Sequence, residues 1–141
     1  MKTTILTIAG AAGSALAAFF GGWDAAFITL TVFMVIDYIT GFILATVFHN
    51  STKTENGSYE SRAGFKGLIR KFVIFLLVGV ATSLDTIIGT NYIRDAVCIA
   101  FMVNEVMSIL ENAGLMGVPL PDALIKALEV LKSKNDKGVE E

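Results

Sequence analysis

Residues 25–48 read AAFITLTVFMVIDYITGFILATVF and contain one charged residue, Asp37. A helix needs about 20 predominantly apolar residues to cross the hydrocarbon core of a bilayer. The stretch meets that length comfortably, so we predict a transmembrane helix over it.

The composition of the 141-residue chain is also that of a membrane protein. Hydrophobic residues make up 54% and charged residues 17%, and the mean hydropathy is +0.67. A soluble domain of this size needs more charge to cover its surface. The apolar residues fall in long runs separated by short polar stretches, which is typical of a multi-span membrane protein.

The same composition argues against several classes of function. The net charge of −2 indicates no nucleic-acid partner. Cys98 is the single cysteine, so we expect no intrachain disulfide and no Cys-based metal site, and no cofactor is predicted. His49 is the single histidine, and we interpret it as an interfacial residue. With no Ser/His/Asp set and no phosphate-cradling glycine loop, the sequence does not predict an enzyme.

Three further apolar runs cover about residues 5–23, 72–88 and 96–110. The runs at 5–23 and 72–88 are at the short end of the length that a span needs. The run at 96–110 holds Asn104 and Glu105 in its middle. Apolar residues favour insertion by about 0.3–0.6 kcal/mol each, whereas a central acidic residue opposes it by about 2.5–3.5 kcal/mol. We therefore expect this run to span only if its polar face meets protein or water, or if Glu105 is protonated.

The C-terminal part differs in character. After a turn at 118–121, an amphipathic helix is predicted with Leu124, Ile125, Leu128 and Leu131 on one face. Residues 133–141 are predicted to be disordered. The sequence thus predicts an all-α integral membrane protein. About four transmembrane helices lie within residues 1–118, and a cytoplasmic amphipathic helix with a short charged tail follows over 119–141.

The basic residues predict the orientation. Five lie between the second and third runs: Lys53, Arg62, Lys66, Arg70 and Lys71. Of the remaining six, Lys2 precedes the first run, four lysines follow the fourth run, and Arg94 falls in the third connection. Because Lys and Arg accumulate in cytoplasmic loops, four spans with both termini inside fit this distribution. The five loop residues either contact anionic lipid headgroups or serve only to fix topology, and Gly64 and Gly67 are predicted to form a turn before the third span.

The N-terminus admits two interpretations. Lys2 followed by an apolar run and Ala15-Leu16-Ala17 fits a cleavable signal peptide. The apolar run continues through Phe20, and a single lysine is a weak start for a signal peptide. We favour an uncleaved first span.

The ionisable residues inside the predicted spans are all acidic. Asp37 and Glu105 lie mid-span, and Asp85 and Glu111 lie towards span ends. No basic residue lies at a matching depth in the predicted spans, so each carboxyl must be protonated, hydrogen-bonded or hydrated. We therefore predict that Asp37 and Glu105 face a water-filled opening or a second subunit.

Helical spacing groups these acids with other polar residues into stripes along the spans. The candidates for a polar, pore-facing surface are Asp37, Thr40, Asp85, Asn104, Glu105, Ser108, Glu111 and Asn112. Small residues at similar spacing allow helices to approach closely in lipid. The candidates for such packing are Gly10, Ser14, Ala18, Gly41, Gly79 and Ser83. Whether they pack helices within one protomer or between protomers stays open.

Four short blocks together resemble a known family. They are Asp37-Tyr38-Ile39-Thr40-Gly41, the segment 61–71 ending in Gly67-Leu68-Ile69-Arg70-Lys71, the segment 104–112 reading NEVMSILEN, and Gly117-Val118-Pro119-Leu120-Pro121. Their order and spacing are similar to those of the phage holin family that includes the clostridial toxin-secretion holins. The resemblance covers about residues 20–131.

The resemblance implies a function that the residues alone do not reach. Members of the family are small multi-span proteins that accumulate in the cytoplasmic membrane of bacteria, usually Gram-positive hosts. They self-assemble and open lesions through which a cell-wall hydrolase or a toxin leaves the cell. The expected partners are therefore further copies of the chain, membrane lipids, and a released endolysin or toxin.

Two other classes remain as alternatives. A small proton-coupled multidrug exporter also has four short spans, but its essential glutamate is expected in the first span, where this chain has no acidic residue. A non-catalytic membrane scaffold is not excluded by any residue.

Overall fold

The computed structural model describes residues 1–139, and these form five α-helices in sequence. They are α1 (Lys2–Phe20), α2 (Ala25–Thr46), α3 (Ser61–Ile88), α4 (Ile93–Leu115) and α5 (Asp122–Val139). Turns and loops connect the helices, and no strand occurs within the described residues. The all-α prediction is confirmed.

Three of the described helices, α1, α2 and α3, are long and apolar enough to cross a membrane. Helix α4 is 23 residues long and is not among these three, and it carries the charged residues Arg94, Asp95, Glu105 and Glu111. It extends beyond the predicted run at both ends, to Ile93 and to Leu115. The helix at 93–115 thus has the length of a span and needs protein contacts to satisfy its polar groups.

Helix α3 begins much earlier than predicted. It starts at Ser61, so Gly64 and Gly67 lie within its first turns and the prediction of a turn there is wrong. A Cβ atom at Gly64 would lie only 3.0 Å from the Tyr59 hydroxyl, so this glycine lets the Tyr59 ring pack against the helix. The first turns also carry Arg62 and Lys66, long unbranched side chains that favour helix. The loop before α3 therefore covers only residues 47–60.

Helix α4 is the centre of the bundle, packing along α2 and also against α3 and α5. The short turns 21–24 and 89–92 meet at one end of the bundle, called here the turn end, and the loop 47–60 lies at the other, the loop end. A cluster of buried apolar side chains joins the three central helices near the turn end. It consists of Phe27, Leu30 and Met34 from α2, Val78 from α3, and Cys98 and Met102 from α4.

Helix α1 lies at the periphery and has no buried residue. It contacts α3 where the Phe19 ring covers Gly79, at a position where any Cβ would collide with the ring. Among the predicted packing residues, Gly79 is buried and Gly41 lies beside Asn112 of α4. The other four are exposed in the protomer: Gly10, Ser14, Ala18 and Ser83.

Large apolar side chains cover the outer surface of α1, α2 and α3. Leu6 is 71% exposed, Val35 52% and Phe72 58%. A soluble monomer rarely exposes a continuous apolar surface of this kind, whereas lipid covers it at no cost. The exposed surface therefore agrees with insertion in a membrane.

Helix α5 is longer than predicted. It continues through Val139, so the prediction of disorder is wrong for residues 133–139, and residues 140 and 141 lie outside the described part of the chain. Leu124 and Ile125, from the predicted apolar face, are 49% and 40% exposed. The side chains of Leu128 and Leu131 lie outside the described residues.

Candidate functional site

Three charged side chains from three helices meet inside the bundle. Lys71 of α3 donates from Nζ to Asp37 Oδ2 of α2 and to Glu105 Oε2 of α4, each at 2.7 Å. Asp37 is 5% exposed and Glu105 6%. These residues are called here the Lys71 triad. The prediction that no cation lies at the depth of the two carboxyls is wrong.

The early start of α3 explains this error. Lys71 lies ten positions into the helix, which places it about 15 Å along the axis at 1.5 Å per residue. Its flexible four-carbon stem then carries the ammonium to the two carboxylates. In the sequence, Lys71 is the last residue before an apolar run, a position that indicates a loop residue. The signal that could have identified it was the pair of mid-span acids with no counter-ion.

Asn112 extends the polar cluster towards the loop end. Its Nδ2 donates to Asp37 Oδ1 at 3.2 Å and to Thr40 Oγ1 at 3.0 Å, and Asn112 is itself buried. The Thr40 hydroxyl donates to the backbone oxygen of Asp37 at 3.1 Å. The spacing of Asp37 and Thr40 thus places both on the face of α2 that packs on α4.

The charges within the Lys71 triad do not cancel. Two carboxyls face one ammonium, so the cluster carries one excess negative charge when all three groups are ionised. Removing one partner from a buried ion pair costs about 3–5 kcal/mol because the other charge stays buried. The triad therefore holds α2, α3 and α4 together and opposes their separation.

A second charged cluster closes the turn end. The Arg94 side chain, at the start of α4, is buried and donates to Asp24 at 2.8 and 3.0 Å through its two terminal nitrogens. It also donates to the backbone oxygens of Phe20, at 2.6 Å, and Gly22, at 3.1 Å. The guanidinium hydrogen bonds hold the pKa of Asp24 below the ordinary aspartate value. Sequence reasoning used Arg94 only for topology and missed this role.

Asp85 completes that cluster. It is buried and accepts hydrogen bonds from the Thr90 hydroxyl at 2.6 Å and from the backbone N–H groups of Ile93, at 3.1 Å, and Arg94, at 2.9 Å. It thereby caps the first turn of α4, whose N–H groups have no partner within the helix. Asp24, Asp85 and Arg94 are called here the Arg94 node.

The structure thus separates the predicted polar-face residues into three groups. It brings Asp37, Thr40, Glu105 and Asn112 together in the protomer interior, with Ser108 beside them on a cavity wall. Asp85 belongs to the Arg94 node. Asn104 and Glu111 are exposed on α4. A pore-lining role for any of these residues stays a prediction.

A cavity of about 230 Å³ lies between α2, α3 and the loop 47–60. It is called here the inner cavity, and all three residues of the Lys71 triad contribute to its wall. Of the five predicted headgroup residues, Lys53 and Arg70 also line this cavity, whereas Arg62 and Lys66 are exposed on the first turns of α3.

Comparison with known proteins identifies relatives of the whole bundle. The model of the bacteriophage holin family matches residues 14–133. A protein named "Probable holin" from Bacillus phage phi105 is 35% identical over 112 residues, which are 79% of this chain and 77% of that protein. An uncharacterized protein of Halalkalibacterium halodurans is 33% identical over 143 residues, 97% of this chain and 100% of that protein. An uncharacterized 14.9 kDa protein of Clostridium perfringens is 36% identical over 117 residues, 82% of this chain and 83% of that protein. No solved structure matches the chain.

Proposed function

We propose that this chain, which belongs to the bacteriophage holin family, self-assembles in a bacterial cytoplasmic membrane and permeabilises it. The lesion would let a cell-wall hydrolase or a toxin leave the cell, in a host that we expect to be Gram-positive. The observation that carries the proposal is the family match over residues 14–133. The match covers α2, α3 and the last residues of α1, which are the three helices apolar enough to span a bilayer. The function requires no catalysis by the chain itself.

We further propose that α4 crosses the membrane along with α1, α2 and α3. Of its four charged residues, Arg94 and Glu105 are buried in ion pairs within the protomer, whereas the exposed Asp95 and Glu111 lie towards its two ends. Four spans place both termini, the loop 47–60 and α5 in the cytoplasm. Of the eleven Lys and Arg residues, Lys71 then lies within a span and Arg94 at the external end, and the other nine are cytoplasmic.

The exposed cations of the loop end support this orientation. Lys53, Arg62 and Lys66 are exposed and would lie at the inner surface of the membrane. Arg70 is also exposed, one residue before Lys71, and its long side chain can reach that surface. Each basic residue near an anionic leaflet contributes about 1 kcal/mol to its attraction. Lys71 does not take part, because both of its carboxylate partners hold it inside the bundle.

In this proposal the described protomer is the closed state. Its polar faces point inward, so lining a lesion requires α2 and α4 to part and expose Asp37, Thr40, Glu105 and Asn112 to water. Contacts between protomers must offset the loss of the Lys71 triad. Helix α1 offers such contacts, since its small-residue stripe of Gly10, Ser14 and Ala18 is exposed and helices associate closely along such stripes.

Release of cargo from liposomes tests the proposal. The purified chain is reconstituted at increasing density into vesicles that hold both a small dye and a protein-sized dextran. A lesion-forming protein releases both above a threshold density. A proton-coupled exporter would retain the dextran and move small cations against a proton gradient, and a scaffold would retain both. Retention of the dextran at every density would contradict the proposal.

A further inference from the structure

The inner cavity has two different ends. Towards the loop end its wall is formed by loop residues, among them Ser51, Thr54 and Tyr59. At mid-bundle its wall contains the carboxylates of Asp37 and Glu105 with the Lys71 ammonium between them. The cavity therefore leads from the loop to the Lys71 triad.

Beyond the triad the bundle is closed. The buried apolar cluster occupies the next two to three turns of α2 and α4, and α3 contributes Val78 to it. Leu30 and Met34 are 0% and 2% exposed, Val78 0%, and Cys98 and Met102 0% and 8%. Apolar contacts of this density leave no polar partner for water. A path that enters at the loop ends at the triad.

The loop itself holds the mouth of the cavity in place. Within it, Ser51 N–H donates to the Gly57 carbonyl at 3.0 Å and the Thr54 hydroxyl to the Ser58 carbonyl at 2.7 Å. Asn50 Nδ2 donates to the Leu115 carbonyl at 3.2 Å, which ties the loop to the end of α4. Hydrogen bonds thus fix the loop residues around the mouth of the cavity.

We infer that the inner cavity is a blind, water-filled vestibule through which water and small cations reach the Lys71 triad from the loop side. A volume of about 230 Å³ holds several waters, and the walls supply the two to four polar partners that each water needs. Lys71, with a side chain 14% exposed, is the member of the triad that such water hydrates most. The triad is then sealed from the turn end and wetted from the loop end.

The inference rests on the four spans proposed above, which place the loop 47–60 and Ser133 on one side of the membrane, and not on which side that is or on lesion formation. Ser133→Cys, on the exposed surface of α5, reports the orientation separately. If Ser133→Cys reacts from outside, the orientation fails while the vestibule can still be found open towards the same side as Ser133. The two failures are therefore distinguishable.

Cysteine accessibility provides the first test, in the full chain carrying Cys98→Ala. Ser108→Cys places a thiol on the cavity wall, and Met107→Cys places one beside it on the 43% exposed outer face. A charged, membrane-impermeant thiol reagent should modify Ser108→Cys from the Ser133 side at least about tenfold faster than Met107→Cys. Equal rates, or modification of Ser108→Cys from the opposite side, would overturn the inference.

Chemical rescue provides the second test. Lys71→Ala removes three carbons and the ammonium, and propylammonium has that same composition. We expect Lys71→Ala to melt lower in detergent micelles, and millimolar propylammonium to restore most of the lost Tm. Propanol, which lacks the charge, should not restore it, and the exposed Lys66→Ala should show no response to either. A folded Lys71→Ala protein that is indifferent to propylammonium would contradict access to the triad. If this variant does not fold, the labelling result decides.

Discussion

The two halves of the bundle surround their buried charged groups differently. Near the turn end, the Arg94 node satisfies its buried polar groups with hydrogen bonds, and apolar side chains fill the space next to it. Near the loop end, the Lys71 triad lies beside a cavity of about 230 Å³. Both halves bury charged side chains, Arg94 in the turn half and the Lys71 triad in the loop half, but the cavity that leaves room for water lies beside the triad. In the proposed mechanism, this difference places the permeation barrier of the closed protomer in the turn half and the parting of α2 from α4 at the triad.

The largest effect is expected from Lys71→Met, which leaves two buried carboxyls without a counter-ion. We expect the free energy of unfolding in micelles to fall by about 3–5 kcal/mol. The triple variant Lys71→Met/Asp37→Asn/Glu105→Gln should recover most of the loss, because it removes the charges that were left unpaired. If Lys71→Met alone is as stable as the parent chain, the triad does not hold the helices together.

The next largest effect is the loss of stability when a buried apolar side chain is shortened, and it should differ between the two halves. Leu30 is fully buried in the turn half, and Leu30→Ala should lower the free energy of unfolding by about 3 kcal/mol, because the residual hole stays empty. Phe42 lines the inner cavity and is 47% exposed, so Phe42→Ala should change it by about 1 kcal/mol or less. Equal losses measured by urea unfolding would mean that the loop half is packed as tightly as the turn half.

The sequence predicted most of the helices but not the ion pairs and hydrogen bonds between them. The length and hydrophobicity of the apolar run at 25–48 predict a helix without any periodicity, and the helix found there matches the run closely. The start of α3 was missed because Gly64, Gly67 and several cations resemble a loop, while packing of Tyr59 on Gly64 stabilises the helix. The prediction that Lys71 lies in the loop is wrong for the same reason.

The Arg94 node shows a second limit of sequence reasoning. The hydrogen bonds of the Arg94 side chain join residues 70 to 74 positions apart, and local periodicity carries no information about such distances. Asp85 was expected on a polar stripe, yet it caps α4 because the turn 89–92 brings Ile93 back to it. A cap across a turn depends on loop geometry, which the spacing of polar residues does not specify.

A smaller loss of folding stability is expected when the Asp85 cap of α4 is removed. Asp85→Ala removes the acceptor for the first N–H groups of α4, and loss of a helix cap costs about 0.5–2 kcal/mol. Asp85→Asn keeps one acceptor oxygen and should lose less. Thermal unfolding of the two variants in micelles measures the difference, and an equal loss in both would indicate that the acceptor itself is unimportant.

The smallest effect is the pH dependence of Asp24. Because its pKa is lowered in the folded chain, its contribution is present above the unfolded value of about 3.9 and is lost as the pH falls through the folded value. The side chain is 51% exposed, so the contribution should stay below about 1 kcal/mol. Stability measured between about pH 5 and pH 2 should fall less steeply for Asp24→Asn than for the parent chain. Identical slopes would mean that the Arg94 hydrogen bonds do not favour the ionised carboxyl.

Locking α2 to α4 tests most directly whether lesions open by parting the polar faces. Thr40→Cys and Asn112→Cys, in a Cys98→Ala chain, place thiols where the native side chains are 3.0 Å apart, and a short bifunctional thiol reagent then joins them. The cross-linked chain should insert into liposomes but retain protein-sized dextran, while each singly substituted chain treated with the same reagent releases it. Release of dextran by the cross-linked chain at the normal density would contradict the account.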